Sequence, residues 1–369
     1  MSDHLSEQQG VHVFDSVTQD LQYSADASLS AEQIKEHADE FLHDPNIHLL
    51  FGDQPVWSLQ EYMDKLETIP SLKDMVKKPY LLAVTLRALP KAVGPRQDLV
   101  DTRIVRARLY DKIVEQWFAL SLERLESSIL SSVEREALTE LVKDGFVAQG
   151  IDYLKRLADA IFTRQNGNPV IQYTHIRDKD TWKAEFFDSD PKIRLLREAS
   201  PLTSTVDTIR FSHRSILEYF FSCTIFSPSK HDPQDEGGFT DVQPLDPESP
   251  LFTRSFICEP SVIQFLSDRV QENPSFKDQL LEAIERSKSD PSLATATTNS
   301  ITILVKAGVR FGGADLRGIR VPRADVSDFD SAQFQEADLA GINLSRRWLL
   351  EADSAGHGRR EFSSESYRT

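Results

Sequence analysis

The 369-residue chain is 40% hydrophobic and 27% charged, a globular composition with room for two or three domains. Its net charge of −16 argues against a nucleic-acid-binding surface, which needs a concentrated basic patch, and against an anionic membrane face. Two cysteines, Cys223 and Cys258, no apolar run of about 18 residues and the polar start Met1-Ser2-Asp3-His4 together predict a cytoplasmic protein without disulfides, membrane spans or a secretory signal.

Residues 1–28 are polar and weakly patterned. Ser30-Ala31-Glu32-Gln33 has capping-box spacing and precedes Ile34, Ala38, Phe41 and Leu42 at helical intervals. Ser58-Leu59-Gln60-Glu61 repeats the signal ahead of Tyr62, Met63 and Leu66. In "KKPYLLAVTLRALP", Pro79 suits the first turn of a helix, Leu81, Leu82, Leu86 and Leu89 supply its apolar side, and Pro90 is expected to end it. A long helix is expected from Thr102 to about Leu125, with Ile104, Val105, Leu109, Ile113, Val114, Trp117 and Leu120 on one face. Two more are expected, from about Val133 to Val142 and from about Ile151 to Phe162. The latter turns Tyr153, Leu154, Leu157, Ile161 and Phe162 inward.

Asn166-Gly167-Asn168 is turn chemistry, and Val170–Tyr173, Trp182–Phe187 and Thr208–Phe211 read as short strands. A helical bundle finishing in a small β element and one more helix has the outline of a winged helix. His231–Pro250, rich in proline, glycine and acids, reads as a linker. Helices resume around Val262, Ile263 and Phe265, around Leu280, Leu281 and Ile284, and from Asn299 to Lys306 before Gly308.

From residue 309 the period becomes five. Leu316, Val321 and Val326 are spaced by five and preceded, two residues earlier, by Ala314, Ile319 and Ala324. A second register follows at Phe329, Phe334, Leu339 and Leu344, preceded by Ser327, Ala332, Ala337 and Ile342; the step from Val326 to Phe329 is two residues short. These seven pentads resemble the pentapeptide-repeat family. That likeness implies a square, right-handed β-coil in which the central residue and the small residue two before it point inward. Asp315, Asp325 and Asp338 then face solvent, and Asp328 and Asp330 lack the glycine and distal glutamate of a calcium loop, so no metal site is expected. The helix ending near Gly308 is expected to cover the first rung, and Trp348, Leu349 and Leu350 the last.

"FSHRSILEYFFS", Phe211–Ser222, carries the main functional signal. Ile216, Leu217, Phe220, Phe221 and Ile225 share one helical face. His213 lies near that face as a core residue satisfied by a carbonyl, with Ser212 or His213 as the N-cap; Arg214 and Glu218 are spaced to pair weakly. The stretch resembles the Phe-x-His-x-Ser-x-x-Glu-Tyr/Phe-Phe signature that closes the winged-helix region of NACHT-type STAND NTPases, and "KKPYLLAVTLRALP" resembles the Asn-Pro-x-Leu-Leu helix of their lid. The order lid, winged helix, helical segment and repeat array is similar to large multidomain members common in fungi, over roughly residues 45–345. The resemblance implies that Pro79 packs near the adenine of bound ADP and that His213 approaches its β-phosphate, donating from a ring N–H. It implies domains at 29–100 (lid remnant), 101–228 (winged-helix-like region), 229–250 (linker), 251–308 (helical connector), 309–345 (pentapeptide repeats) and 346–369 (tail).

One departure is large. A phosphate-binding loop needs Gly-x-x-x-x-Gly-Lys-Ser/Thr, and no Gly-Lys pair occurs in the chain. "HLLFGD", His48–Asp53, only faintly resembles a magnesium-binding strand and reads as a strand or turn. The expected protein is mainly α: a helical lid and winged-helix-like bundle with a small β wing, helices, then a short β-coil. Its expected function is that of a regulatory, protein-binding module without catalytic residues, cofactor, nucleic acid or membrane partner. ADP or ATP would enter only if a separate nucleotide-binding core completed the pocket, or if the chain is a piece of a full-length NTPase. A DNA-mimicking pentapeptide inhibitor needs a long acidic ladder, whereas residues 309–345 hold six acids against four arginines, a net of −2. A hydrolase is disfavoured because His213 and Ser215 are too close in sequence to act as base and nucleophile and no Gly-x-Ser-x-Gly elbow exists.

Overall fold

Ser30 and Ser58 each start a helix as their spacing predicts, and Ser131 starts a third by the same means. In all three the serine hydroxyl accepts the backbone N–H three residues on, and that residue's Gln or Glu side chain accepts the serine N–H. The computed structural model describes residues 28–44, 47, 56–68, 72–73, 76–77, 79–93, 106–205, 207–226, 247–311 and 314–321. Over these residues the fold is mainly α, with one three-stranded sheet. No helix among them is long and apolar enough to cross a membrane. The chain divides into two compact units, Met1–Asp152 with His175–Leu202, and Tyr153–Thr174 with Thr203–Thr369.

In the first unit, α1 (Ala31–Leu42) buries Ile34, Ala38 and Phe41, and α2 (Leu59–Thr68) buries Tyr62 and Leu66. The Phe41 and Tyr62 rings meet edge-on at 6.3 Å between centroids. α3 (Pro79–Val93) begins on Pro79, where a missing N–H costs no helical bond. It does not end at Pro90 as expected; it continues to Val93. The reason lies on α2. A proline at 90 cannot donate to the Leu86 carbonyl, and the buried Tyr62 hydroxyl donates to that carbonyl instead, at 2.9 Å. Burial pushes the Tyr62 phenol well above its ordinary range, so it remains a donor at any working pH.

Tyr62→Phe should therefore lower stability by about 1–3 kcal/mol, read as a lower urea midpoint. Adding Pro90→Ala should restore much of the loss, because residue 90 again supplies an N–H. Equal losses in the single and double variants would disprove the link between Tyr62 and Pro90.

α4 (Arg106–Ser127) buries Leu109, Ile113 and Val114 as expected; Ile104 and Val105 lie outside the described residues. Phe118, not Trp117 or Leu120, continues the buried face, and those two are half-buried. Trp117 has a different task. Its indole N–H donates to the Ala199 carbonyl at 2.8 Å, Ser121 donates to the same oxygen at 3.0 Å, and Arg124 donates to the Glu198 carbonyl at 2.6 Å. Donors at 117, 121 and 124 form one stripe of α4, and together they serve the C-terminal carbonyls of a helix far away in sequence.

α5 spans Ser132–Lys143. α6 (Phe146–Gln165) starts five residues before the expected Ile151, and Gly150 lies inside it. The boundary between the two units falls within α6, between Asp152 and Tyr153.

Beyond β1 (Val170–Gln172) come α7 (His175–Asp178), α8 (Ala184–Phe187) and α9 (Pro191–Ala199), the helix whose end α4 caps. The expected strand at Trp182–Phe187 is a turn leading into α8. Trp182 and Phe186 are four apart and meet edge-on at 6.1 Å, a helical contact that an alternating reading of so short a stretch conceals.

In the second unit, Tyr153, Leu154, Leu157, Ile161 and Phe162 are buried as expected. Asn166 and Gly167 turn the chain with φ of 52° and 74°, values that asparagine and glycine tolerate best. β1 pairs antiparallel with β3 (Thr208–Phe211) in the register Ile171↔Ile209, and β2 (Leu202–Ser204) flanks β3 on its other side. α10 (Arg214–Ile225), α11 (Pro250–Thr253), α12 (Pro260–Glu272), α13 (Pro274–Ser287) and α14 (Ala294–Lys306) complete the unit. Residues 227–246, most of the expected linker, lie outside the described residues.

Phe162 and Phe221 stack at 3.9 Å between centroids, and the Arg254 guanidinium donates to the Phe162 carbonyl. Leu281 is half-buried, whereas Val262, Ile263, Phe265, Leu280 and Ile284 are buried. α14 starts at Ala294, five residues before the expected Asn299. Thr297, Thr298 and Thr302 return their hydroxyls to carbonyls four residues earlier, each at 2.8 Å, so a polar-looking segment can be buried as a helix. Gly308, at φ 79°, ends the run.

Of the pentads, Leu316, Ile319 and Val321 are buried and Ala314, also expected inward, is half-buried, while Asp315, Arg317 and Arg320 are exposed. Asp315 takes two hydrogen bonds from the Arg317 guanidinium, at 2.8 and 2.6 Å, and these hold its carboxyl below the usual carboxylate range. Val326 and the later pentads, the short step after Val326, and Trp348–Leu350 lie outside the described residues.

Candidate functional site

β3 ends on the buried Phe211, and the chain reaches α10 through Ser212 and His213. His213 is extended, with φ −146° and ψ 147°, and is the N-cap of α10. Its Nδ1 accepts the Ser215 backbone N–H at 3.1 Å and lies 2.6 Å from the Ser215 hydroxyl. This meets the expectation of His213 as N-cap, because the first amides of a helix have no partner within it and the ring nitrogen serves one of them. A ring nitrogen that accepts an N–H is unprotonated, so in the neutral ring Nε2 carries the proton. His213 and Ser215, expected to be too close on one helix to act as base and nucleophile, lie within hydrogen-bond distance at the helix start. Ser215 is 4% exposed and shares the capping nitrogen, so the contact belongs to the helix start and not to a nucleophile open to substrate.

The apolar face of α10 is as expected: Ile216, Leu217, Phe220, Phe221 and Ile225 are all buried. Glu218 departs from expectation. It is 7% exposed, on a side of α10 expected to face away from the core, and it pairs with an Arg214 side chain that is half-exposed. Arg214 donates from Nε to Glu218 at 2.9 Å and from its terminal nitrogen to Glu259, just ahead of α12, at 3.1 Å. The Glu218 hydrogen bond, with the charge of Glu259 added, raises the Arg214 pKa further, and the guanidinium stays charged. Glu259 was not legible as a partner, because it lies 45 residues away in the chain.

Pro79 is buried at the first position of α3. It belongs to the first unit and His213 to the second. His48–Asp53 lies outside the described residues. Among the described residues no three of His, Cys, Asp and Glu are grouped to hold a metal ion, and neither Cys223 nor Cys258 is in a disulfide.

No protein-family model matches the chain, and a search of curated proteins finds no match to it.

Proposed function

We propose that the chain is a non-catalytic regulatory and protein-interaction module, related to the lid and winged-helix region of NACHT-type signalling NTPases and carrying the start of a pentapeptide-repeat coil. The reading rests above all on the strand–histidine–helix junction at Phe211–Ser222. A three-stranded sheet delivers a histidine to the N-terminus of a buried aromatic helix, and the cap fixes its tautomer with the proton on Nε2. The coil reading draws on the pentad burial: Leu316, Ile319 and Val321 inward, Asp315 and Arg320 outward and five apart.

The residues at this junction do not suit a diphosphate. Phosphate sites gather several N–H donors and a cation. Arg214, the cation beside His213, is engaged by Glu218 and Glu259, and these two carboxylates would repel a phosphate. With no Gly-Lys loop in the chain, a single imidazole N–H is a small share of a nucleotide site. A signalling module of this kind acts by presenting surfaces to other proteins.

Millimolar ADP should leave the melting temperature of the purified chain unchanged, for wild type and His213→Ala alike, and ATP should not be hydrolysed above a buffer blank. An ADP-dependent rise in wild type that His213→Ala abolishes would overturn the reading in favour of a nucleotide-binding protein. ATP turnover abolished by a substitution in this chain would do the same.

A further inference from the structure

We propose that His213 is a proton-operated catch on α10: the neutral ring closes the start of the helix, and mild acid opens it. The geometry of the cap dictates this. Nδ1 accepts the Ser215 N–H at 3.1 Å, and an acceptor must carry a lone pair. Serine, asparagine and aspartate, the usual caps, keep theirs throughout the neutral range. Imidazole does not, since it takes up a proton near about pH 6.5. A proton on Nδ1 turns the acceptor into a donor that faces another donor. It also sets a cation at a helix N-terminus, where the dipole favours an anion.

The groups around the ring do not reverse this. Arg214 follows it directly and repels a second cation. Glu218 on α10 and Glu259 ahead of α12 would favour the cation, but both are bonded to Arg214, at 2.9 and 3.1 Å. β3 contributes Arg210, turned to the Thr203 hydroxyl, and the end of α11 contributes Arg254, bonded to the Phe162 carbonyl. The Ser215 hydroxyl, 2.6 Å from Nδ1, can accept the new proton, yet the Ser215 N–H still loses the ring. The folded chain thus holds the ring neutral, whereas the unfolded chain protonates it freely and binds more protons in mild acid. The stability given by the cap is complete above about pH 6.5 and is lost as the pH falls through and below that value. What opens is the first turn of α10, while Phe220 and Phe221 keep the later turns buried. Arg214 lies in that first turn, so its bridge to Glu259 loosens with it. The catch follows from the cap, whatever the chain binds.

Hydrogen exchange of the segment Phe211–Ser222 in the full chain, at about pH 7.5 and about pH 5.5 and corrected for intrinsic rates, tests this. Wild-type protection should fall about fivefold or more between the two, the loss of one N-cap. His213→Asn caps at both values and should fall less than about twofold. His213→Asp, a carboxylate acceptor at both, provides the same reading in a second variant. Ser215→Ala keeps the backbone N–H and removes the hydroxyl that can take the proton, so its fall should be at least as steep as wild type's. Three outcomes would overturn the proposal: wild-type protection that does not fall; His213→Asn and His213→Asp falling as far as wild type; or Ser215→Ala without pH dependence, which would place the effect on the hydroxyl and not on the cap.

Discussion

Gly150→Ala should destabilise the protein, although on an exposed helix the same change would stabilise it by about 1 kcal/mol. A Cβ at 150 would lie 2.5 Å from Phe118 Cζ, nearer still to Cε1, and 2.8 Å from Cδ1. Ordinary contacts to carbon lie near 3.5–4.0 Å. The ring cannot step aside easily: Phe118 is fully buried and meets Phe146 edge-on at 6.2 Å. Overpacking of this kind costs about 1–3 kcal/mol, which outweighs the gain in helix propensity. Tryptophan fluorescence, to which Trp117 beside Phe118 on α4 contributes as one of four tryptophans, can follow urea unfolding. The midpoint should fall for Gly150→Ala, fall further for Gly150→Val, and recover in part when Phe118→Leu makes room. A midpoint that rises in Gly150→Ala would mean that α4 and α6 yield freely and that the glycine is not needed for their approach.

Asn299 carries the second large effect. It is fully buried on α14, and its amide serves three backbone groups: Nδ2 donates to the Leu251 carbonyl at 2.9 Å and to the Arg254 carbonyl at 2.8 Å, while Oδ1 accepts the Phe256 N–H at 3.4 Å. One side chain thereby holds the segment from α11 to Phe256, whose ring packs edge-on against Phe221 at 6.2 Å. Asn299→Ala leaves three buried backbone groups to find partners. Each orphan costs about 1–3 kcal/mol, though the terms do not simply add, so a loss of about 3 kcal/mol or more is expected. Asn299→Asp is the sharper test. It keeps the shape but turns a donor into an acceptor against two carbonyls, and it should be worse than alanine at neutral pH. It should then recover partly in acid, where the protonated carboxyl regains one O–H donor. Hydrogen exchange at the Phe256 amide reads the change directly. Protection at Phe256 equal to wild type in both variants would show that Asn299 does not hold this segment.

What was legible in the sequence is what short stretches decide among themselves. The boxes at Ser30 and Ser58, Pro79 at a helix start, the turn at Asn166-Gly167 and the passage from Thr208–Phe211 into a helix at His213 each depend on residues a few positions apart, and each is found where expected.

Tertiary structure decided the rest, because the deciding partners are distant in sequence. Pro90 ends a helix by local rule, yet α3 runs on because a tyrosine 28 residues earlier supplies the lost donor. Gly150 looks like a boundary until a phenylalanine of another helix occupies the space its side chain lacks. The threonine-rich start of α14 reads as polar, but hydroxyls bonded back to the helix let it enter the core. At the candidate site, the histidine cap was visible in twelve residues, whereas the Glu259 that completes the Arg214 pairing was not. Hydrogen-bond satisfaction and close packing are conditions on what surrounds a residue in space, and a local pattern carries only the part of those surroundings that the chain itself keeps nearby.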